Sequence, residues 1–186
     1  MLNEPDARLT KYKIAKLSQC SREWVIEFLR KLEAQGLVEQ TKVLNYDGLI
    51  RLWGQIRLKP EHRDYMLREP LEFLRKLKLQ YAITTYQAEN LVQHYLFPSR
   101  TDIYILEDDR AKWHDSIVTE GGLVGRGNTR ILLADSHVFY KAFKIEDLGV
   151  VSLPQLMVDL LAEGGPCVEA AELLLEKMIK HALPAA

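Results

Sequence analysis

Thr10-Lys11-Tyr12-Lys13-Ile14-Ala15-Lys16-Leu17-Ser18-Gln19-Cys20-Ser21-Arg22-Glu23-Trp24-Val25-Ile26-Glu27-Phe28-Leu29 is the stretch on which the fold turns. Thr10 is a helix N-cap, because its hydroxyl accepts from a backbone N–H two or three residues on. Ile14, Ala15 and Leu17 then give the apolar face of a short helix, about Lys11 to Gln19. Ser21 caps a second helix, in which Trp24, Val25, Phe28, Leu29 and Leu32 recur at three- and four-residue spacing as one buried stripe. Gly36 ends that helix as a residue tolerant of left-handed dihedrals. Leu37-Val38-Glu39-Gln40-Thr41-Lys42-Val43 is a β-branched run and reads as a strand.

The spacing predicts a helix–turn–helix. Such a unit needs a small residue where its helices cross, which Ala15 supplies, and a β-branched apolar residue under the second helix ten positions later, which Val25 supplies. Gln19 stands where these turns often carry Gly; either Gln is left-handed there, at about 1 kcal/mol, or the turn differs in detail. With the stripe buried, the opposite face of the second helix shows Ser21, Arg22, Glu23, Glu27, Arg30 and Lys31. The N-terminal end of that helix suits the major groove, with Arg22 in reach of a guanine edge and Glu23 or Glu27 of a cytosine amino group. Lys11, Lys13 and Lys16 face phosphates, and Lys42 on the strand meets the flanking backbone. Protein contacts are the other use of such a unit.

Working outward, 46–79 reads as a helical connector between a DNA-binding domain at 1–45 and an α/β domain at 80–186. Asn45 or Asp47 caps a helix carrying Leu49, Ile50, Leu52, Trp53 and Ile56, with a strand over Leu49–Leu58 as the competing reading. A further helix starts at Pro70, and the connector is a candidate dimer contact. Beyond it, Tyr86–Tyr95 and Lys112–Glu120 read as helices. Thr101–Leu106, Thr129–Leu133 and His137–Tyr140 read as strands. Ser152 and Pro154 open a helix, and a last one runs from about Val168 to His181. The fold class is α+β.

Composition agrees with a globular chain, at 47% hydrophobic and 27% charged residues. No run approaches the roughly 18 apolar residues of a membrane span, and Met1-Leu2-Asn3-Glu4-Pro5 does not read as a signal peptide. Cys20 and Cys167 are far apart, as ordinary thiols of a reduced, cytoplasmic protein. The net charge of −1 hides a split: residues 1–80 hold 16 Lys and Arg against 11 Asp and Glu, while 81–186 hold 9 against 15. The basic half is the one suited to a polyanion.

The chain resembles the AbiEi family of archaeal and bacterial transcriptional regulators, antitoxins of type IV toxin–antitoxin pairs. The likeness runs through the N-terminal unit, Leu49-Ile50-Arg51-Leu52-Trp53, Tyr81-Ala82-Ile83-Thr84-Thr85-Tyr86-Gln87-Ala88 and Gly125-Arg126-Gly127-Asn128. It closes with 150–161 (Val150-Val151-Ser152-Leu153-Pro154 onward) and Glu169-Ala170-Ala171-Glu172. It implies a winged helix that represses its own operon on double-stranded DNA, a homodimer, and a toxin as a further partner. Before Thr10 the chain departs from that pattern, since the helix that usually opens a winged helix is short or missing.

Ala82–Ile105 also has the outline of a nucleotidyltransferase core, in which a Gly-Gly or Gly-Ser turn opens a helix and a strand presents two metal-binding Asp. Here Thr84-Thr85 holds the turn, and Tyr104 follows Asp102 where the second acid belongs. Two-metal chemistry needs carboxylates holding ions about 3.5–4 Å apart, so the kinship is to a degenerate copy; a nucleotide-using enzyme is the alternative function. Glu107-Asp108-Asp109 reads as a solvated loop. His62, His94, His114, His137 and His181 lack metal-ligand spacing. Gly121-Gly122-Leu123-Val124-Gly125-Arg126-Gly127-Asn128 lacks the P-loop Lys-Ser/Thr and reads as a tight turn. No catalytic residue, metal or cofactor is assigned.

Overall fold

The computed structural model describes residues 1–5 and 9–182, so residues 183–186 of the expected last domain lie outside the described residues. The chain is a mixed α+β fold with, among the described residues, eight α-helices and two sheets. It divides into two compact units, residues 1–57 with 175–186, and residues 58–174. The stretch 46–79 therefore contributes to both units rather than forming a connector of its own.

The first unit begins with α1 (Lys11–Ser18), capped by Thr10, whose Oγ1 accepts from the Lys13 N–H at 3.2 Å. Gln19 then takes φ 53°, the left-handed one of the two alternatives, and Ser21 caps α2 (Arg22–Ala34) by accepting from the Trp24 N–H at 3.1 Å. Gly36 follows α2 at φ 67°. The 37–43 run is not one strand. It folds back at Gln40-Thr41 into a hairpin of β1 (Val38–Glu39) and β2 (Lys42–Val43), because Gln40 adopts φ 55° and its N–H donates to the Glu33 carboxylate at 2.6 Å. Next comes α3 (Tyr46–Ile56), a helix rather than the competing strand, with the Asn45 side chain accepting from the Gly48 N–H.

Ala15, Val25, Leu29, Leu32, Leu37, Val38 and Leu49 form the core of this unit. Met1 and Leu2 pack against it without forming a helix, and Pro5 accepts from the Val43 N–H at 3.0 Å. Trp24, expected in the buried stripe, is instead 52% exposed and stacks on Phe28 at 5.0 Å. It lies at the flank of the stripe, where Phe28 covers only one of its faces.

The second unit is built on a seven-stranded sheet. Its strands are β3 (His62–Met66), β4 (Ala82–Thr84), β5 (Thr101–Leu106), β6 (Leu123–Val124), β7 (Thr129–Ala134), β8 (Phe143–Ile145) and β9 (Leu148–Val150), in spatial order β6-β3-β7-β5-β4-β9-β8. β5 runs parallel to β7 and β4 to β9; the other pairs are antiparallel. The helices are α4 (Pro70–Lys76), α5 (Thr85–Gln93), α6 (Arg110–Thr119), α7 (Leu153–Glu163) and α8 (Pro166–Ala182), whose last residues count with the first unit. β5 is central and buried from Thr101 to Ile105, as a strand covered on both faces must be. Trp113, Ile117, Ile83, Leu156 and Met157 fill the core beside it.

Two expectations fail here. His62–Met66, within the stretch read as helical, is a strand paired on both sides. His137–Tyr140 is a short 3-10 turn, Ser136–Phe139, because Asp135 accepts from the His137 N–H at 2.8 Å and turns the chain. The glycine-rich segment is a tight turn only in part: Leu123–Val124 within it form β6, and Gly125–Asn128 make the close turn, where a Cβ on Gly127 would lie 2.1 Å from the Tyr65 carbonyl oxygen. Asn128 brackets Leu67, accepting from its N–H at 3.0 Å and donating to its carbonyl at 2.8 Å.

Candidate nucleic-acid interface

Ala15 on α1 and Val25 on α2 are both buried, at 7% and 3% exposure, in one cluster where the helices pack. Because side chains on a helix divide by face, burying Val25, Leu29 and Leu32 turns Glu23, Glu27, Arg30 and Lys31 to the opposite side. All four are exposed, as are Ser21 and Arg22 at the N-terminus of α2. On α1, Lys13 and Lys16 are exposed and Lys11 is half-buried, while Lys42 is exposed on the hairpin. These ten residues thus belong to one unit, with seven basic side chains and two acidic.

Lys31 and Glu27 form an ion pair at 2.8 Å one turn apart. The hydrogen bond and charge of Lys31 hold the Glu27 carboxyl below its ordinary range. That pairing partly spends the charge of both, so Arg22, Lys13, Lys16 and Lys42, which make no ion pair with a described residue, carry the free positive charge of the unit. Positive groups beside the first turn of a helix, where backbone N–H groups already point outward, suit phosphate oxygens. Trp24 and Tyr12, not singled out as surface groups by their spacing, are 52% and 69% exposed among these charges. Apolar spacing cannot tell the edge of a stripe from its centre, and Trp24 sits at the edge.

The residues of the nucleotidyltransferase outline meet at the turn between β4 and α5. Register pairs Thr84 with Asp102 and Ala82 with Tyr104. Thr85 opens α5 at φ 49°, a strained value for a β-branched residue, and its hydroxyl donates to the Asp102 carboxylate. Arg100 grips both oxygens of Asp102, from Nη2 at 2.8 Å and from Nε, and also donates to Glu163 at 3.0 Å. Its guanidinium lies over the Tyr86 ring and is held all the more firmly in its charged form by Asp102. Burial pushes the Tyr86 hydroxyl up to about 12, with the Cys167 thiol hydrogen-bonded to it adding to the shift.

A second carboxylate, Asp159 on α7, accepts from Thr84 at 2.6 Å, Gln155 at 3.0 Å and Tyr104 at 3.1 Å. Asp102 and Asp159 are 1% and 3% exposed. Neutralised by Arg100 and enclosed, Asp102 offers no open position to a cation. The donors present are hydroxyls, an amide and a guanidinium, a set that satisfies buried acids rather than holding a metal. Among the described residues no three His, Cys, Asp or Glu side chains converge as ligands. His114 meets the Tyr65 hydroxyl at 3.1 Å and His137 the Asp135 carboxylate at 3.0 Å. No described helix is long and apolar enough to cross a membrane.

By fold, then, this is an α+β chain that joins a basic unit of helices and a hairpin to a unit built on a mixed sheet. No family model matches the chain, and neither does any curated protein or solved structure.

Proposed function

We propose that residues 10–57 act as a winged helix that binds duplex DNA, and that the protein is a transcriptional regulator. In this reading α2 is the recognition helix, α1 lies over the phosphates, and the β1–β2 hairpin is the wing. The observation that carries it is the joint burial of Ala15 and Val25, with Arg22, Glu23, Glu27, Arg30 and Lys31 left outward. Helices that cross through a small residue are the arrangement that exposes one helix end to a major groove. Repression of its own operon and a toxin partner are what the resemblance adds, and they rest on it alone. The nucleotide-using alternative loses ground to the Arg100 contacts of Asp102.

Selection from random duplexes tests the reading. An enriched sequence is expected, with affinity falling steeply as salt rises through counterion release. Arg22→Ala is expected to relax preference at one base pair, and Lys16→Ala to weaken all duplexes alike. Failure to enrich any sequence, or retention unchanged by both variants, refutes it.

A further inference from the structure

The sheet of the second unit carries a small cavity where α6 meets it. Register sets Arg63 of β3 beside Ile131 of β7, Ile131 beside Ile103 of β5, and Leu133 beside Ile105. Residues two apart on a strand share a face, so Arg63, Tyr65, Ile131 and Ile105 all lie on one face of the sheet. Arg110 and Trp113, three residues apart on α6, share one side of that helix. Between helix and sheet the cavity holds about 170 Å³, and all of its lining belongs to the second unit.

Floor and rim differ in chemistry. Tyr65, Ile105, Trp113 and Ile131, none more than 4% exposed, make a largely apolar floor. Arg63, Glu61 and Arg110 are exposed and form the rim. Arg110 is committed to Glu61, whereas Arg63 makes no ion pair with a described residue. The Arg63 guanidinium instead lies 5.7 Å from the centroid of the Tyr65 ring, held back over the floor. Two polar side-chain atoms belong to the floor. The Tyr65 hydroxyl meets His114 Nδ1 at 3.1 Å. The Trp113 Nε1–H is enclosed and has no hydrogen-bond partner among the described residues. An enclosed N–H without an acceptor is costly, and a ligand oxygen in the cavity removes that cost.

We propose that this cavity binds a small carboxylic acid whose apolar body is about the size of one ring. Three features choose that class. A cavity of about 150 Å³ takes up benzene, so this one has room for a ring and one head group. The buried aliphatic and aromatic floor calls for an apolar body. The uncommitted guanidinium calls for a single negative charge, and its fork matches the two oxygens of a carboxylate. Arg63 and the Trp113 N–H are the donors. This goes beyond the DNA reading and stands without it.

Benzoate titrated into the isotope-labelled full chain tests the proposal by nuclear magnetic resonance. The three tryptophans give three indole N–H signals, and Trp24→Phe and Trp53→Phe identify that of Trp113 by elimination. Benzoate is expected to shift the Trp113 signal saturably, with a Kd of about 0.1–1 mM. Acetate, which has the charge without the body, is expected to leave it in place at the same concentrations. Arg63→Gln is expected to weaken benzoate about tenfold and to leave the weaker binding of neutral benzyl alcohol unchanged. A variant with a collapsed cavity would lose both ligands, so that split reports on the charge alone. The proposal is overturned if the Trp113 signal shows no saturable shift below about 10 mM benzoate. It is overturned equally if acetate acts like benzoate, or if benzoate binds the Arg63 variant as tightly as the parent chain. No duplex enters the experiment, so its failure is distinct from failure of the DNA reading.

Discussion

Two of the turns that pass through a left-handed residue other than glycine, at Gln19 and Thr85, are held in opposite ways. Gln19, between α1 and α2, is exposed at φ 53°, and its turn is closed locally by the Cys20 N–H donating to the Ala15 carbonyl at 3.1 Å. Thr85, between β4 and α5, is buried at φ 49° and β-branched, and its hydroxyl is tied to Asp102 on another strand. Strain at a β-branched residue persists only where the surroundings over-determine it. Arg100, Asp102 and Thr85 supply that constraint in the second unit, while in the first the packing of Ala15 against α2 does the equivalent work from the core. One turn is written into a few neighbouring residues and the other into residues drawn from two strands.

The strongest way to break this comparison is Asp102→Ala. It strips the Thr85 hydroxyl of its acceptor and Arg100 of its buried partner. Removing one member of a buried pair costs about 3–5 kcal/mol, and the low end applies because Arg100 is 19% exposed and keeps Glu163. Hydrogen exchange at the amides of β4, α5 and β5 is expected to show opening easier by about 3 kcal/mol. A loss below about 1 kcal/mol, the net worth of an ordinary hydrogen bond, would mean the network does not hold the turn.

Ala15→Leu probes the other turn from beneath. Ala15 is 7% exposed in the cluster with Val25 and Leu29, and three added carbons have no space there without parting α1 from α2. Overpacking of this kind costs about 1–3 kcal/mol, read as a shift in the urea midpoint. Lys16→Ala, one residue on but exposed, is expected to leave that midpoint within about 0.5 kcal/mol. Equal effects from the two would show that the crossing is not tightly packed.

What the sequence disclosed follows the same division. The caps at Thr10, Ser21 and Asn45, the turn at Gln19, and the strand Thr101–Leu106 depend on local chemistry or on strong periodicity, and all were legible. β3 was not, because His62-Arg63-Asp64-Tyr65-Met66 buries only Tyr65 and shows no apolar alternation. The β8–β9 hairpin turns through Glu146 and Asp147 at φ 49° and 65°, where an Asn-Gly pair would have announced it. Of the proposed site, the outward face of α2 was readable from helix periodicity. The exposure of Trp24 and the capture of Asp102 by Arg100 were not, since they depend on which neighbours arrive in three dimensions.

The finest test replaces each left-handed residue with glycine. Gly enters this region freely, where an L-residue loses about 1–2 kcal/mol, but it also gives the unfolded chain about 0.4–1 kcal/mol of extra entropy. At Gln19 the side chain is exposed and makes no contact that offsets the change, so Gln19→Gly is expected to gain about 0.5 kcal/mol. At Thr85 the same relief comes with loss of a hydroxyl bonded to a carboxylate, worth about 1.5–3 kcal/mol. Thr85→Gly is therefore expected to lose about 1–2.5 kcal/mol. Opposite signs in paired urea titrations support the distinction between a locally closed turn and one clamped by a network. If both variants gain, Thr85 is strained without being held by its hydroxyl, and the hold must come from the packing of α5 against β5.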